Sequence, residues 1–85
     1  MMNEMNQGHA PYVAMTDIAF REGNILPQGN WALTITKGYA WVFCETRDFV
    51  LDAGQTVSIS PEDGTIRVRA LYSRGSTRYI AQAKN

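Results

Sequence analysis

The stretch that decides the fold is Gly38–Cys44, GYAWVFC, followed after a short polar gap by Asp48–Gln55, DFVLDAGQ. Aromatic and β-branched residues at this density favour extended strands, and the glycines at the ends mark turns. The two segments therefore predict a pair of short β-strands. Both faces of the first strand are apolar, which is typical of a strand covered on both sides, by its own protein or by another subunit.

Working outward from this pair, three further segments alternate between apolar and polar residues. They are Trp31–Thr36, Thr56–Ser60 and Thr65–Tyr72. Turn signals recur about every 8–12 residues, which is typical of a sandwich or small barrel. The sequence predicts an all-β fold, a small antiparallel barrel or β-sandwich of six to seven short strands. We expect Arg21–Asn24 to form a turn before an irregular piece that contains proline.

The length of 85 residues predicts a single domain. A hydrophobic fraction of 45% is ordinary for a globular domain and too high for a disordered one. We expect a flexible, polar N-terminal arm over residues 1–11, one β domain over residues 12–82, and a polar tail over residues 83–85. A chain this short buries a modest core, so association of subunits would add to its stability.

The charge balance favours no particular partner. Eight basic and eight acidic side chains give a formal net charge of zero, so no global field attracts nucleic acid or an anionic membrane. Cys44 is the only cysteine, which excludes a disulfide within one chain and favours a reducing, cytoplasmic location. The N-terminal residues have no basic start and no apolar run, so we expect no signal peptide and no membrane partner.

Three motifs carry a resemblance to a known family. They are G-x-A-W-V at Gly38–Val42, D-x-x-L-x-A-G-Q at Asp48–Gln55 and V-x-A-L at Val68–Leu71. Together they resemble a small bacterial cupin-like (RmlC-like β-barrel) family of unknown function, over about residues 16 to 81. The resemblance implies a barrel or half-barrel of antiparallel strands, and it implies no particular reaction.

Metal-binding cupins place two or three histidines and a glutamate inside the barrel, and this chain departs from that pattern. Its single histidine, His9, lies in the predicted arm, where a surface role is favoured over metal binding. No residue corresponds to the cupin metal ligands, so we expect no metal and no cofactor. Cys44 lies in an apolar strand with no base beside it, which favours a buried, inert thiol over a nucleophile.

Carboxylates offer a weak signal for acid–base chemistry. Asp48 and Asp52 lie on the same face of one strand but about 13 Å apart along it, which is long for a cooperating pair. Glu62 and Asp63 lie in a turn and are interpreted as turn formers. Asp48 matches the family pattern, and we expect it to tie the neighbouring turn at residues 46–47.

Aromatic side chains supply the first set of binding candidates. Trp31, Tyr39, Trp41 and Phe43 would line a ligand pocket inside a barrel, fill its core, or form a subunit interface. Core packing is the commoner role for such residues in a small barrel. The two apolar faces of the strand at residues 39–44 point to the third role, and they predict a homodimer.

Arginines supply the second set. Arg67 and Arg69 share one strand face, and Arg78 joins them if the last two strands pair as a hairpin. Such a basic face would bind phosphates or an acidic partner. The alternative is a solvated face that protects an edge strand from aggregation, and the scarcity of aromatic residues between the arginines favours this alternative.

These observations predict a non-enzymatic binding or structural module that self-associates. Two alternatives stay open. One is a cupin-type enzyme that binds a small molecule, for which the sequence offers no catalytic group. The other is a nucleic-acid-associated protein that uses the C-terminal arginine face, which the zero net charge disfavours.

Overall fold

The computed structural model describes residues 13–84, with side chains described from residue 15 onward, and this part of the chain is almost entirely β-structure. The strands are β1 (Val13–Ile18), β2 (Gly23–Leu26), β3 (Trp31–Lys37), β4 (Tyr39–Phe43), β5 (Asp48–Asp52), β6 (Thr56–Ile59), β7 (Ile66–Ala70) and β8 (Thr77–Ala83). A 3₁₀ turn at Pro61–Asp63 connects β6 to β7. Within residues 13–84, no helix has the length and apolar character needed to cross a membrane.

The strands form two four-stranded antiparallel sheets. The first sheet has the order β1-β8-β3-β6 and the second has the order β2-β7-β4-β5. The sheets are not closed into a barrel. The predicted all-β class is therefore confirmed in its sandwich form, and the described residues contain eight strands where the pattern predicted six or seven.

The additional strand is β2, which covers part of the stretch that was expected to be a turn. The chain bends earlier, where Arg21 adopts a left-handed φ of 74°. Gly23 then begins the strand, and a Cβ added to it would lie 2.6 Å from the carbonyl oxygen of Val68 on β7. Only glycine lets the two backbones approach this closely, so this glycine serves a strand and not a turn.

The core lies between the two sheets, and strict alternation along the strands builds it. Trp31, Leu33 and Ile35, alternate residues of β3, face inward and belong to the same buried cluster as Ala40 and Val42 from β4. Full burial of an aliphatic side chain of this size stabilises the fold by about 1.5–3 kcal/mol. The remaining buried apolar residues are Ile18, Leu51, Ile59, Ile66, Val68, Ala70, Tyr79 and Ala81.

One end of the sandwich is held by a polar cluster around Asp63, hereafter the Asp63 clasp, formed by Thr46, Arg47, Ser60 and Asp63. Asp63 is buried, with 6% of the residue exposed. It accepts hydrogen bonds from Arg47 Nε and Nη2 at 3.0 and 2.9 Å, from Thr46 Oγ1 at 2.6 Å and from the Ser60 N–H at 3.1 Å. Arg47 Nη2 also donates to the Ser58 carbonyl at 2.8 Å. The clasp therefore ties the β4–β5 connection to the turn between β6 and β7.

Candidate functional site

The outward side of β4 carries the aromatic candidates. Because side chains alternate along a strand, Ala40 and Val42 are fully buried in the core while Tyr39, Trp41 and Phe43 point away from it. The strand is thus covered by the sandwich on one side only. Its second apolar side belongs to the outer surface of the second sheet.

The neighbouring strands complete this surface, hereafter the aromatic face. The register places Ile25, Arg67, Phe43 and Asp48 in one cross-strand row. The next row contains Gly23, Arg69, Trp41 and Val50. An aromatic strand therefore lies between a basic strand, β7, and an acidic strand, β5. The face comprises Ile25, Tyr39, Trp41, Phe43, Asp48, Val50, Asp52, Arg67 and Arg69.

The centre of the aromatic face is ordered by ring contacts. The rings of Trp41 and Phe43 lie 4.3 Å apart between centroids and are tilted by 31°. Trp41 Nε1 donates a hydrogen bond to Asp48 Oδ2 at 3.0 Å. Around this pair the surface remains open, since Val50 and Ile25 are each 59% exposed. Apolar surface of this kind, grouped on one face, is typical of an interaction site.

The arginines of the face differ from Arg47 and Arg78. Arg47 and Arg78 each form an ion pair, with Asp63 and Asp17 respectively. Between residues 13 and 84, Arg67 and Arg69 have no hydrogen-bonding or ion-pairing partner, and both are exposed. Their guanidinium groups, each with five donors, are free to bind an acceptor on another molecule.

A cavity of about 220 Å³ opens on the β2 side of the aromatic face. Arg21, Arg67 and Arg69 line it together with Phe43 and Ile25. A lining of three arginines and an aromatic residue suits an anionic group carried on a flat organic body. Gly23, Asn24 and Val68 complete the lining.

The structure separates the predicted candidates into two groups. Tyr39, Trp41 and Phe43 share one face with Arg67 and Arg69, which sequence reasoning had treated as two unrelated sets; the registers of β5 and β7 against β4 unite them. Ile25, Val50 and Arg21 also belong to this surface and were missed. The alternation of Val50 with two outward aspartates was the sequence signal for one of them.

Trp31 and Arg78 lie elsewhere. The Trp31 side chain is buried in the core, and its Nε1 donates to the Pro27 carbonyl at 2.9 Å. Arg78 lies on β8 in the first sheet, because β7 and β8 do not pair as a hairpin. Its guanidinium instead binds Asp17 on β1 at 2.9 Å and lowers the pKa of that carboxyl.

The interior does not fit a cupin metal centre. The space between the sheets is filled by apolar side chains such as Leu33, Ile35 and Val42. Among residues 13–84, no group of three or more histidine, cysteine or acidic side chains is arranged to hold a metal ion. His9 lies outside the described residues. We therefore derive no chemistry through a metal.

The remaining reactive groups are Cys44, Asp48 and Asp52. Cys44 is half-buried, and burial together with the nearby Asp63 charge raises the pKa of its thiol, which disfavours the nucleophilic thiolate. Asp48 was expected to tie the turn at residues 46–47, but its carboxylate accepts from Trp41 and the tie is made by Asp63. Asp52 lies exposed at the end of the same strand.

Comparison with solved structures finds the same architecture in several bacterial proteins. A cupin protein from Bacteroides fragilis is 18% identical over 88% of this chain and 66% of its own, with a TM-score of 0.69. A conserved protein of unknown function from Streptococcus pyogenes is 13% identical over 91% of this chain and 67% of its own, with a TM-score of 0.70. The polyketide cyclase RemF from Streptomyces resistomycificus is 8% identical over 86% of this chain and 53% of its own, with a TM-score of 0.68.

These similarities show a cupin-like fold, which confirms the resemblance suggested by the sequence motifs. The chain spans about two thirds of the length of the first two proteins and about half of the cyclase. No protein-family model matches the chain, and a search of curated proteins finds no match. Because the similar structures include both uncharacterised proteins and an enzyme, the fold does not select a function.

Proposed function

We propose that this protein is a non-enzymatic, cytoplasmic binding module that self-associates through its aromatic face. The observation that supports this proposal most strongly is the arrangement of the face itself. Half-buried rings of Trp41 and Phe43 lie at its centre, and charged residues lie on both sides. Interfaces between proteins share this plan of an aromatic, apolar centre within a polar rim.

Energetics favour covering this surface. Each square ångström of apolar area removed from water stabilises an association by about 25 cal/mol before the costs of binding are subtracted. Val50, Ile25 and Tyr39 expose between 38% and 59% of their surface, so a partner would bury a substantial apolar area. Association would also stabilise a chain whose small core limits the stability of the monomer.

The distribution of charge supports a protein partner over nucleic acid. With Arg78 paired to Asp17 on the opposite sheet, the basic strand of the face presents only Arg67 and Arg69. Asp48 and Asp52 line the other side of the same face and would repel a phosphate backbone. A surface that carries both signs of charge suits a protein whose surface also carries both.

A small organic anion is the second candidate partner. The cavity supports it, because three arginines, Arg21, Arg67 and Arg69, line one opening together with Phe43. Isothermal titration with benzoate and phenyl phosphate tests this candidate. Saturable binding that is lost in Arg21→Ala supports it, and heats no larger than those of dilution exclude these two ligands.

Sedimentation equilibrium tests the principal proposal. Over about 1 to about 100 µM protein, we expect the wild-type chain to convert from monomer to dimer. Val50→Lys places a charge at the exposed centre of β5 and should weaken the dimer at least about tenfold, since a buried unpaired charge is costly. Gln82→Lys adds the same charge to the outer side of the first sheet and should change nothing. A wild-type chain that stays monomeric throughout contradicts the proposal.

A further inference from the structure

We infer that the partner on the aromatic face is a second copy of this chain, related by a two-fold axis that runs parallel to β4 between the two faces. This inference rests on the proposed self-association and specifies its geometry. The order of strands across the second sheet leads to it, since β4 has the basic strand β7 on one side and the acidic strand β5 on the other.

Rotation by 180° about such an axis keeps each residue at the same height along the strand direction. It reverses the order of the strands across the sheet. The strand β7 of one copy then lies over β5 of the other. In the first cross-strand row, Arg67 faces Asp48 of the partner subunit, and Phe43 faces Phe43 of the partner subunit. The two-fold symmetry repeats the Arg67 contact, so each dimer contains two such pairs.

The second cross-strand row also pairs compatible residues across the interface. Trp41 faces Trp41 of the partner subunit, and Arg69 faces Val50 of the partner subunit. An arginine packs its aliphatic stem on an apolar side chain while its guanidinium reaches a nearby acceptor. Asp52 of the partner subunit, one row farther along the strand, supplies that acceptor.

A two-fold axis that lies in the plane of the interface perpendicular to β4 is disfavoured by charge. Such an axis would place β7 over β7 and β5 over β5. Arginines would then face arginines and aspartates would face aspartates, and like-charge contacts of this kind oppose association. The axis parallel to β4 also gives a common packing geometry, since sheets that pack face to face lie about 10 Å apart with their strands nearly aligned.

Charge exchange between the facing positions tests this geometry. Arg67→Asp alone places an aspartate opposite Asp48 of the partner subunit, and Asp48→Lys alone places a lysine opposite Arg67 of the partner subunit. We expect each variant to form homodimers at least about tenfold more weakly than wild type, because each dimer gains two like-charge contacts. An equimolar mixture restores both opposite-charge pairs and should form heterodimers within about threefold of the wild-type affinity.

Native mass spectrometry measures this outcome directly, because the two variant chains differ in mass. Arg74→Asp, an equal charge change at an exposed turn, controls for net charge, and Asp48→Leu controls for loss of the acceptor used by Trp41. Heterodimers that outnumber homodimers support the axis. Single variants that dimerise like wild type, or a mixture that stays monomeric, overturn it. A monomeric wild-type chain would instead overturn the proposed self-association itself.

Discussion

The Asp63 clasp and the aromatic face both place arginine near aromatic rings and aspartate, yet only the arginine of the clasp has hydrogen-bond acceptors within the described chain. In the clasp, the guanidinium carbon of Arg47 lies 5.0 Å from the centroid of the Phe49 ring, and the guanidinium group donates to both carboxylate oxygens of Asp63. On the face, Arg67 and Arg69 lie beside Phe43 and Trp41 in the sheet register and bind no residue between 13 and 84.

This difference separates stability from recognition. A charge whose partners lie within the chain contributes to the folded state of the monomer, and its removal leaves a buried group unsatisfied. A charge without such partners contributes little to the monomer and is available to another molecule. We therefore expect variants of the clasp to lose stability while they keep affinity, and variants of the face to do the reverse.

Truncation at the centre of the face should have the largest effect. Trp41→Ala removes a central aromatic side chain from both copies of a symmetric dimer, so the dissociation constant should rise at least about 100-fold. Sedimentation equilibrium measures this change. The urea midpoint of the monomer should stay close to that of wild type, because Trp41 lies outside the core. An unchanged dissociation constant would remove Trp41 from the interface.

Removal of the clasp carboxylate should have the next largest effect, on stability alone. Asp63→Ala leaves Thr46, Arg47 and the Ser60 N–H without their shared acceptor, and we expect the urea midpoint to fall by about 1 M. The matched control is Glu22→Ala, which removes an exposed carboxylate that accepts no hydrogen bond from an arginine between residues 13 and 84 and should shift the midpoint little. Equal shifts for the two variants would show that the clasp is not structural.

Acid should reveal the same clasp through its pH dependence. The hydrogen bonds of Arg47, Thr46 and Ser60 hold the pKa of Asp63 well below its ordinary value of 3.8. The stability that ionised Asp63 contributes is therefore fully present above this value and is lost as the pH falls toward the lower, folded-state pKa. Urea unfolding from pH 5 downward should show a steeper loss in wild type than in Asp63→Asn. Parallel pH profiles would contradict this assignment.

The thiol beside the clasp should show the smallest effect. Burial and the Asp63 charge raise the pKa of Cys44, so its reaction with a disulfide reagent near neutral pH should be at least about tenfold slower than that of a free cysteine. The reaction should accelerate in Asp63→Asn, which removes the nearby negative charge. Labelling of the native protein at the rate of free cysteine would show that the thiol is activated.

The sequence predicted much of the fold, because apolar and polar residues alternate along many of the strands. The alternation of β3 followed from neighbouring residues alone, whereas β4 is apolar on both faces and its sequence did not indicate which face enters the core. Partners that are distant in the chain did not. Arg78 binds Asp17, 61 residues away, and the chain between β7 and β8 crosses from one sheet to the other. Because β7 and β8 lie in different sheets, the expected hairpin and its three-arginine face do not form. Neither segment carries a local sequence signal for this crossing.

The sequence predicted several residues of the aromatic face but not that they lie together on one surface. Trp41, Phe43, Arg67 and Arg69 were all candidates, but only the register of three strands shows that they share one surface. Gly23 gave a misleading local signal, since a glycine beside charged residues is typical of a turn. Its actual role, close approach to β7, depends on a strand more than forty residues later.

The two tryptophans allow the most direct measurement of whether the aromatic face is covered. Trp31 lies in the core and Trp41 on the face, so Trp31→Phe leaves a single reporter on the face and Trp41→Phe leaves one in the core. Acrylamide quenching should then be measured across about 1 to about 100 µM protein. We expect quenching of Trp41 to fall severalfold as the dimer forms, while quenching of Trp31 stays low throughout. Quenching of Trp41 that remains constant over this range would contradict the assignment of this face as the interface.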